Sequence, residues 1–133
     1  LLSLGNSYGY FGKPKKEFLL VTTSNDFKEN KTDLIEIIII VMLNDAFEDT
    51  NYSCYKAIPT EFRGFSHLLL DELRGEAENT NLFLGDEHIE ILWLIPIYDH
   101  EDKILMEHGF DEFDRYVADN QIELVDLLRP IIK

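Results

Sequence analysis

The stretch IEILWLIPIYDHEDKILMEHGFDEFDRY, residues 89–116, decides the fold that this sequence predicts. It opens with a segment that is apolar on both faces, with isoleucines and Trp93 on one side and leucines on the other. A strand with two apolar faces is typical of the buried centre of a sheet, where both faces are covered. Pro96 has no backbone N–H to donate, so we expect it to end the ladder of this strand.

The remainder of the stretch predicts short helices. Asp99 has a side chain suited to an N-cap, and Gly109 is expected to close the first helix as a left-handed cap. The apolar spacing that begins at Phe110 predicts a second helix, for which Asn120 is the expected stop. The segment Ile122–Leu128 is predicted to form a third.

Upstream, the longest apolar run is LIEIIIIVML, residues Leu34–Leu43. Its four consecutive isoleucines are β-branched and favour a pleat, so we interpret the run as a central buried strand, with a buried helix as the alternative. Phe18–Thr23 alternates and predicts another strand, and Leu2–Tyr10 predicts a short bent one. A short edge strand is predicted within Tyr52–Ile58.

A stripe of apolar residues predicts a long amphipathic helix over Pro59–Glu78, because Phe62, Phe65 and Leu69 recur at helical spacing. Gly64 lies inside it, at a cost of roughly 1 kcal/mol relative to alanine. Together the elements predict one α+β domain over residues 1–133: a mixed β-sheet packed with one long amphipathic helix and a short-helix C-terminal tail. The expected core residues are Phe18, Leu20, Ile38, Ile40, Phe65, Leu69, Leu73, Ile91, Trp93 and Ile95.

Charge restricts the class of partner. The 133 residues carry a formal net charge of −14, and residues 71–126 hold seventeen Asp and Glu against three Lys and Arg. Nucleic acid and anionic membrane surfaces bind basic proteins, so both are excluded as expected partners. A basic protein partner fits this charge, and acidity that only maintains solubility is the other interpretation.

The same sequence predicts a cytoplasmic protein. Cys54 is the sole cysteine, which excludes an intrachain disulfide and a Cys-based zinc site. No signal-peptide pattern opens the chain at Leu1, and the apolar runs are too short to span a bilayer. Because the chain begins directly in domain-like sequence, we also expect further residues upstream.

No catalytic constellation stands out in the sequence. The seven glycines form no phosphate-binding loop, and no G-x-S-x-G elbow occurs. Histidines at 67, 88, 100 and 108 lack the spacing of metal ligands, so no metal or cofactor is predicted. With 26 acidic residues, carboxylate pairs arise by composition, and a hydrolase that uses them is the remote alternative to a non-enzymatic protein.

Residues 89–116 resemble the C-terminal signature of bacterial suppressor-of-fused-like (SUFU) domains. That signature is an apolar strand ending in Leu94-Ile95-Pro96-Ile97, an acidic helix start at Asp99–Asp102, a His108-Gly109 pair and a short amphipathic helix, Phe110–Tyr116. Upstream, Leu4-Gly5-Asn6-Ser7 resembles the family's Leu-Gly-x-Ser strand, and Phe65–Leu73 with Gly85-Asp86 resembles its long helix and return to the sheet. Family members carry a further N-terminal segment that this sequence lacks.

The resemblance implies binding. Eukaryotic relatives clamp an extended segment of a transcription factor, and bacterial stand-alone relatives are often immunity proteins that neutralise a toxin of a polymorphic toxin system. The acidic second half of the chain suits the latter, because many such toxins are basic nucleases. A regulatory or scaffold module that binds an extended peptide by β-augmentation is the alternative.

The acidic residues beside the predicted long helix are the expected partner surface. They lie on its polar side and in the loop beyond it, where Arg74 is the only basic residue of the segment 71–90. The predicted partner-binding residues are Asp71, Glu72, Glu76, Glu78, Asp86 and Glu87.

Overall fold

The computed structural model describes residues 16–47, 54–72, 81–84 and 87–132, and the strand predicted over Leu2–Tyr10 lies outside them. These ranges contain five strands and three helices, with four strands in succession and two helices after them, which confirms the α+β class. In chain order they are β1 (Lys16–Leu19), α1 (Ser24–Phe47), β2 (Ala57–Phe62), β3 (Phe65–Asp71), β4 (Asn81–Leu84), β5 (Glu87–Ile97), α2 (Asp99–His108) and α3 (Phe110–Asp119).

Strand β5 is the centre of a mixed sheet with the order β1-β5-β3-β2. It pairs parallel with β1 and antiparallel with β3 and β4. Glu90 has Lys16 of β1 and Asn81 of β4 as partners, so these two strands lie on opposite edges of β5. Strands β4 and β3 therefore pair with the same edge of β5 at different points along it, and β1 pairs with the opposite edge. A strand with neighbours on both edges fits the central position that its apolar sequence predicts.

Helices cover both faces of the sheet, so the domain has three layers. On one face, α1 packs its inward residues against Phe18, Leu92 and Leu94. On the other, Leu105 of α2 and Phe113 of α3 pack against alternate residues of β5 and β3. The side chains of β5 that face α2 and α3 are Ile91, Trp93, Ile95 and Ile97.

The run Leu34–Leu43 is helical, so its prediction as a central strand is wrong. A helical period lies within it, because Leu34, Ile37, Ile38 and Val41 are buried at i, i+3, i+4 and i+7. Branched residues in a helix cost under about 0.7 kcal/mol each relative to alanine, less than full burial of one such side chain contributes. The charged segment 25–33 is the first part of the same helix.

The start of α1 has a signal that the sequence analysis did not use. Thr23 Oγ1 accepts a hydrogen bond from the backbone N–H of Asp26 at 3.2 Å, as an N-cap does. The helix is kinked at Asn30, whose φ and ψ are −122° and 16°. The Asn30 side-chain amide donates to the carbonyl of Asp26 at 2.9 Å, one turn earlier.

The helix predicted over Pro59–Glu78 is also wrong where the structure describes that range, because residues 57–71 form the β2–β3 hairpin. Residues 73–78 lie outside the described ranges. Arg63 and Gly64 both have positive φ, 50° and 86°, which is the requirement of a tight two-residue hairpin turn. Phe62 and Phe65 pair across that turn. The glycine that seemed a liability in a helix is therefore the residue that permits the hairpin.

The C-terminal half of the chain follows its prediction more closely. Strand β5 and helices α2 and α3 form where expected, and Gly109 lies between the helices with φ 86°. Three details are wrong. Gly109 has a ψ of 176°, which is outside the left-handed helical region expected of the cap. Tyr98, not Asp99, is the N-cap of α2, and β5 continues through Pro96 to Ile97. The carbonyl of Pro96 accepts a hydrogen bond from Arg129, so its backbone faces away from β3 and the missing N–H costs that ladder nothing.

The segment Ile122–Leu128 forms turns, and its prediction as a third helix is wrong. Gln121 has a positive φ of 51°, which interrupts helical geometry directly after α3. The expected core is confirmed for eight of its members. Ile40 is an exception, with 48% of its surface exposed, and Leu73 lies outside the described residues.

Candidate functional site

An open groove of about 690 Å³ lies between α1 and β2. Helix α1 contributes residues that recur every three or four positions, from Asp33 to Asn44, so they share one side of the helix. Strand β2 contributes the opposite wall, from Ile58 to Arg63. The groove therefore lies between a helix and the outer strand of the hairpin, above a core that both share.

The floor of the groove is apolar. Ile37, Val41 and Leu68 are buried members of the core beneath α1, and Ile58 packs against the same cluster. Ile40 lies at the rim with 48% of its surface exposed. A ligand in this groove would meet aliphatic side chains and gain free energy by removing them from water.

The rim of the groove is acidic. Asp33 and Glu36 project from α1, Glu61 projects from β2, and all three are exposed. Among the lining residues that the structure describes, Arg63 in the hairpin turn is the one cation. The lining thus has an apolar centre and a negative border.

Strand β2 is the last strand on its side of the described sheet. Pro59 lies within it, and its register against β3 shifts between Pro59 and Phe62. Proline and an irregular register are common features of sheet edges, because they limit uncontrolled pairing with other chains. The outer edge of β2 therefore offers hydrogen-bonding groups over only part of its length.

The outer side of α1 has an apolar ridge next to the groove. Ile39, Ile40 and Leu43 are each about half exposed. These three residues are neighbours on the surface of the helix, because Leu43 follows Ile39 and Ile40 by one turn. Ile40 belongs to both the ridge and the groove. The ridge explains why residues 37–43 of α1 are all apolar although only some of them face the core.

Three of the six acidic residues predicted to bind a partner are described by the structure, and these three do not lie on a helix. Asp71 ends β3 and is only 1% exposed, and its Oδ1 accepts a hydrogen bond from the Glu72 N–H at 2.7 Å. Glu72 is exposed, and Glu87 begins β5 opposite Leu84. Glu76, Glu78 and Asp86 lie outside the described residues.

Cys54 lies among three acidic side chains at the other end of the hairpin. Burial, together with the nearby carboxylates of Glu90, Glu72 and Asp71, raises the pKa of its thiol from 9.0 to about 12. Its Sγ lies 3.8 Å from Glu90 Oε1. Because thiolate is the reactive form, this cysteine is chemically quiet at neutral pH.

A serine, a histidine and a carboxylate form a row that the sequence analysis missed. Ser66 Oγ lies 2.8 Å from His67 Nδ1, and His67 Nε2 lies 3.5 Å from Asp102 Oδ2. A nucleophilic triad has the same residue types, but it also requires donors aimed at a developing oxyanion. The contact joins β3 to the first turn of α2, and we assign it that structural role.

Within the described ranges, no group of three or more His, Cys, Asp or Glu side chains converges as metal ligands would. Across the same ranges, no helix combines the length and apolar character needed to cross a bilayer.

Comparison with known proteins supports the fold. No protein-family model matches this chain, and no curated protein matches it by sequence. A crystal structure from Neisseria gonorrhoeae, described as that of a SUFU (suppressor of fused protein) homologue, superposes with a TM-score of 0.67 at 17% identity. The match covers 89% of this chain and 64% of the other. This chain therefore has a SUFU-like fold and spans less than two thirds of the length of that relative.

Proposed function

We propose that this chain is a non-enzymatic protein-binding domain of the immunity type, which binds and neutralises a basic toxin, for example a nuclease. The α1–β2 groove carries the proposal, because its apolar floor and acidic rim match a partner segment of opposite charge. The SUFU-like fold is consistent with protein binding. A cytoplasmic location and the absence of a cofactor are parts of the same proposal.

The net charge of −14 favours this reading over a neutral scaffold. A strongly acidic surface attracts a basic partner before contact and repels other acidic proteins. Most of this advantage lies in the association rate, which falls as salt screens the charges. The proposal therefore predicts an association that weakens with ionic strength.

The acidic residues of the second half remain candidates for contact with the toxin. Glu72 is exposed at the end of β3, and we retain Glu76, Glu78, Asp86 and Glu87 as parts of the same proposed surface. Asp71 is buried. Its charge would add to the local potential, and direct contact would fall to its neighbours.

A regulatory module that binds an extended peptide by β-augmentation is the second candidate. The exposed edge of β2 favours it, because a partner strand can pair there without displacing another described strand. The proline and the register shift between Pro59 and Phe62 leave only short regular stretches of β2 for such pairing. We therefore rank side-chain docking in the groove above strand addition.

A capture experiment tests the proposed function. The immobilised chain, and an unrelated protein of similar negative charge as control, are incubated with an extract of the source organism at low and moderate salt. We expect this chain, and not the acidic control, to retain a basic protein. The toxicity of that basic protein should disappear when it is co-expressed with this chain. Retention of the same proteins by the acidic control, or a retained protein whose toxicity persists, would contradict the proposal.

A further inference from the structure

We infer that the segment of the partner that docks in the α1–β2 groove is both aliphatic and basic, with its aliphatic side chains on Ile40 and its Lys or Arg side chains at the rim. This inference rests on the proposed function and adds the site and the chemistry of the segment. Two observations carry it: the apolar ridge of α1, and the three carboxylates at the rim of the adjacent groove.

The aliphatic half of the inference comes from exposed surface. Ile39, Ile40 and Leu43 each expose about half of their area, side by side on one helix. Apolar patches bordered by polar residues mark interaction sites more often than isolated apolar residues do. Because Ile40 also lines the groove, a side chain that enters the groove covers the floor and the ridge together.

The basic half comes from the rim. Asp33 and Glu36 lie one turn apart on α1, and Glu61 faces them from β2. Cationic side chains with aliphatic stems can lie on apolar surface while their charged heads reach carboxylates. A segment in which Lys or Arg flanks Val, Ile or Leu meets both requirements.

A second copy of this chain does not meet them. In an antiparallel pairing of two α1 helices centred on Ile40, Glu36 would face Asn44 and Asp33 would face Phe47, so no cation would meet either carboxylate. In a parallel pairing, Glu36 would face Glu36. Two chains of charge −14 would also repel each other. Charge complementarity thus selects a basic partner.

Short synthetic peptides provide the probe. Three fluorescein-labelled peptides alternate Lys with Val, Lys with Ser, and Glu with Val, and fluorescence anisotropy measures their binding to the full chain. We expect the Lys–Val peptide to bind at least about tenfold more tightly than the other two, because it alone satisfies floor and rim. Equal binding of the Lys–Val and Lys–Ser peptides would overturn the aliphatic half.

Variants locate the peptide. Ile40→Glu places a charge on the ridge, and Glu36→Lys reverses the rim. Each is expected to weaken Lys–Val binding by about tenfold while leaving the melting temperature nearly unchanged, since both positions are exposed. Met106→Glu and Glu107→Lys make the same changes on α2, where the residues are also exposed, and should have no effect.

The outcomes separate this inference from the proposed function. Peptide binding that is insensitive to both groove variants, or no peptide binding, would overturn the inference. Capture of a neutralised toxin would still stand in either case and would direct attention to the acidic residues 72–87. Sedimentation of the chain as a dimer that Ile40→Glu converts to a monomer would overturn the inference in favour of a second copy.

Discussion

The guanidinium of Arg129 and the carboxylate of Glu101 form a bidentate ion pair in which the side chains are only 4% and 2% exposed. Arg129 Nη1 donates to Oε1 and Nη2 donates to Oε2, the latter at 2.9 Å. The guanidinium carbon lies 5.2 Å from the ring centre of Phe65 and 5.0 Å from that of Tyr98. The pair fixes the C-terminal segment to the junction of β5 and α2.

Arg129→Ala is predicted to destabilise the protein by roughly 3–5 kcal/mol, because it leaves the Glu101 charge buried without its cation. Urea denaturation measures the change. Arg115→Ala is the matched control, since Arg115 forms an exposed pair with Glu112 and its loss is expected to cost under about 1 kcal/mol. Equal losses in the two variants would show that the Arg129 pair is not buried in solution.

Trp93→Ala is predicted to cost roughly 3–5 kcal/mol, because loss of a buried aromatic ring removes its transfer free energy and leaves a cavity. The ring is 5% exposed and packs in the core between the sheet and helices α2 and α3. Chemical denaturation provides the measurement. A loss under about 1 kcal/mol, the size of a surface effect, would place the ring outside the core.

Gly64→Val is predicted to cost about 1–2 kcal/mol, because residues with a Cβ atom disfavour positive φ. A Cβ at this position would lie 4.0 Å from the nearest atom of Tyr98, so the Cβ itself makes no steric clash and the expected cost comes from the backbone. Gly64→Asn should cost less, since asparagine tolerates this region. A value for Val equal to that for Asn would contradict the turn geometry.

Cys54 is predicted to make stability depend on alkaline pH. Its thiol has a pKa of about 12 in the fold against 9.0 as a free group, so between these values the unfolded chain loses the proton first. Loss of this proton lowers the free energy of the unfolded state, so stability falls as pH rises through this window. The free energy of unfolding of the wild type, measured by chemical denaturation, should therefore fall more steeply above pH 9 than that of Cys54→Ser. Parallel pH profiles for the two proteins would contradict the raised pKa.

The sequence predicted the parts of the fold in which periodicity and boundary residues agree. The apolar faces of β5 and the phenylalanine spacing of α3, bounded by Gly109 and Asn120, are such cases. The two large errors arise where periodicity is ambiguous. In Leu34–Leu43 the helical period is obscured because the exposed positions Ile39, Ile40 and Leu43 are apolar as well as the buried ones. Which of these residues are exposed depends on the tertiary structure.

Boundary residues would have corrected both errors. Thr23, with Asp26 three residues later, indicates a helix start, and Arg63-Gly64 indicates a hairpin turn. The groove was beyond sequence reasoning for a different reason. It is lined by residues that are far apart in sequence, such as Glu36 of α1 and Glu61 of β2. Their proximity can be predicted only when both elements and the strand order are known.

Site-specific crosslinking in living cells tests the central claim, that a protein partner docks in the α1–β2 groove. A photoreactive residue replaces Thr60 at the edge of β2 in one variant and Met106 on α2 in a second, and the chain is irradiated in cells of the source organism. We predict a discrete protein adduct from position 60, lost on adding Ile40→Glu, and none from position 106. An adduct from position 106 alone, or one from position 60 that persists with Ile40→Glu, would contradict the claim.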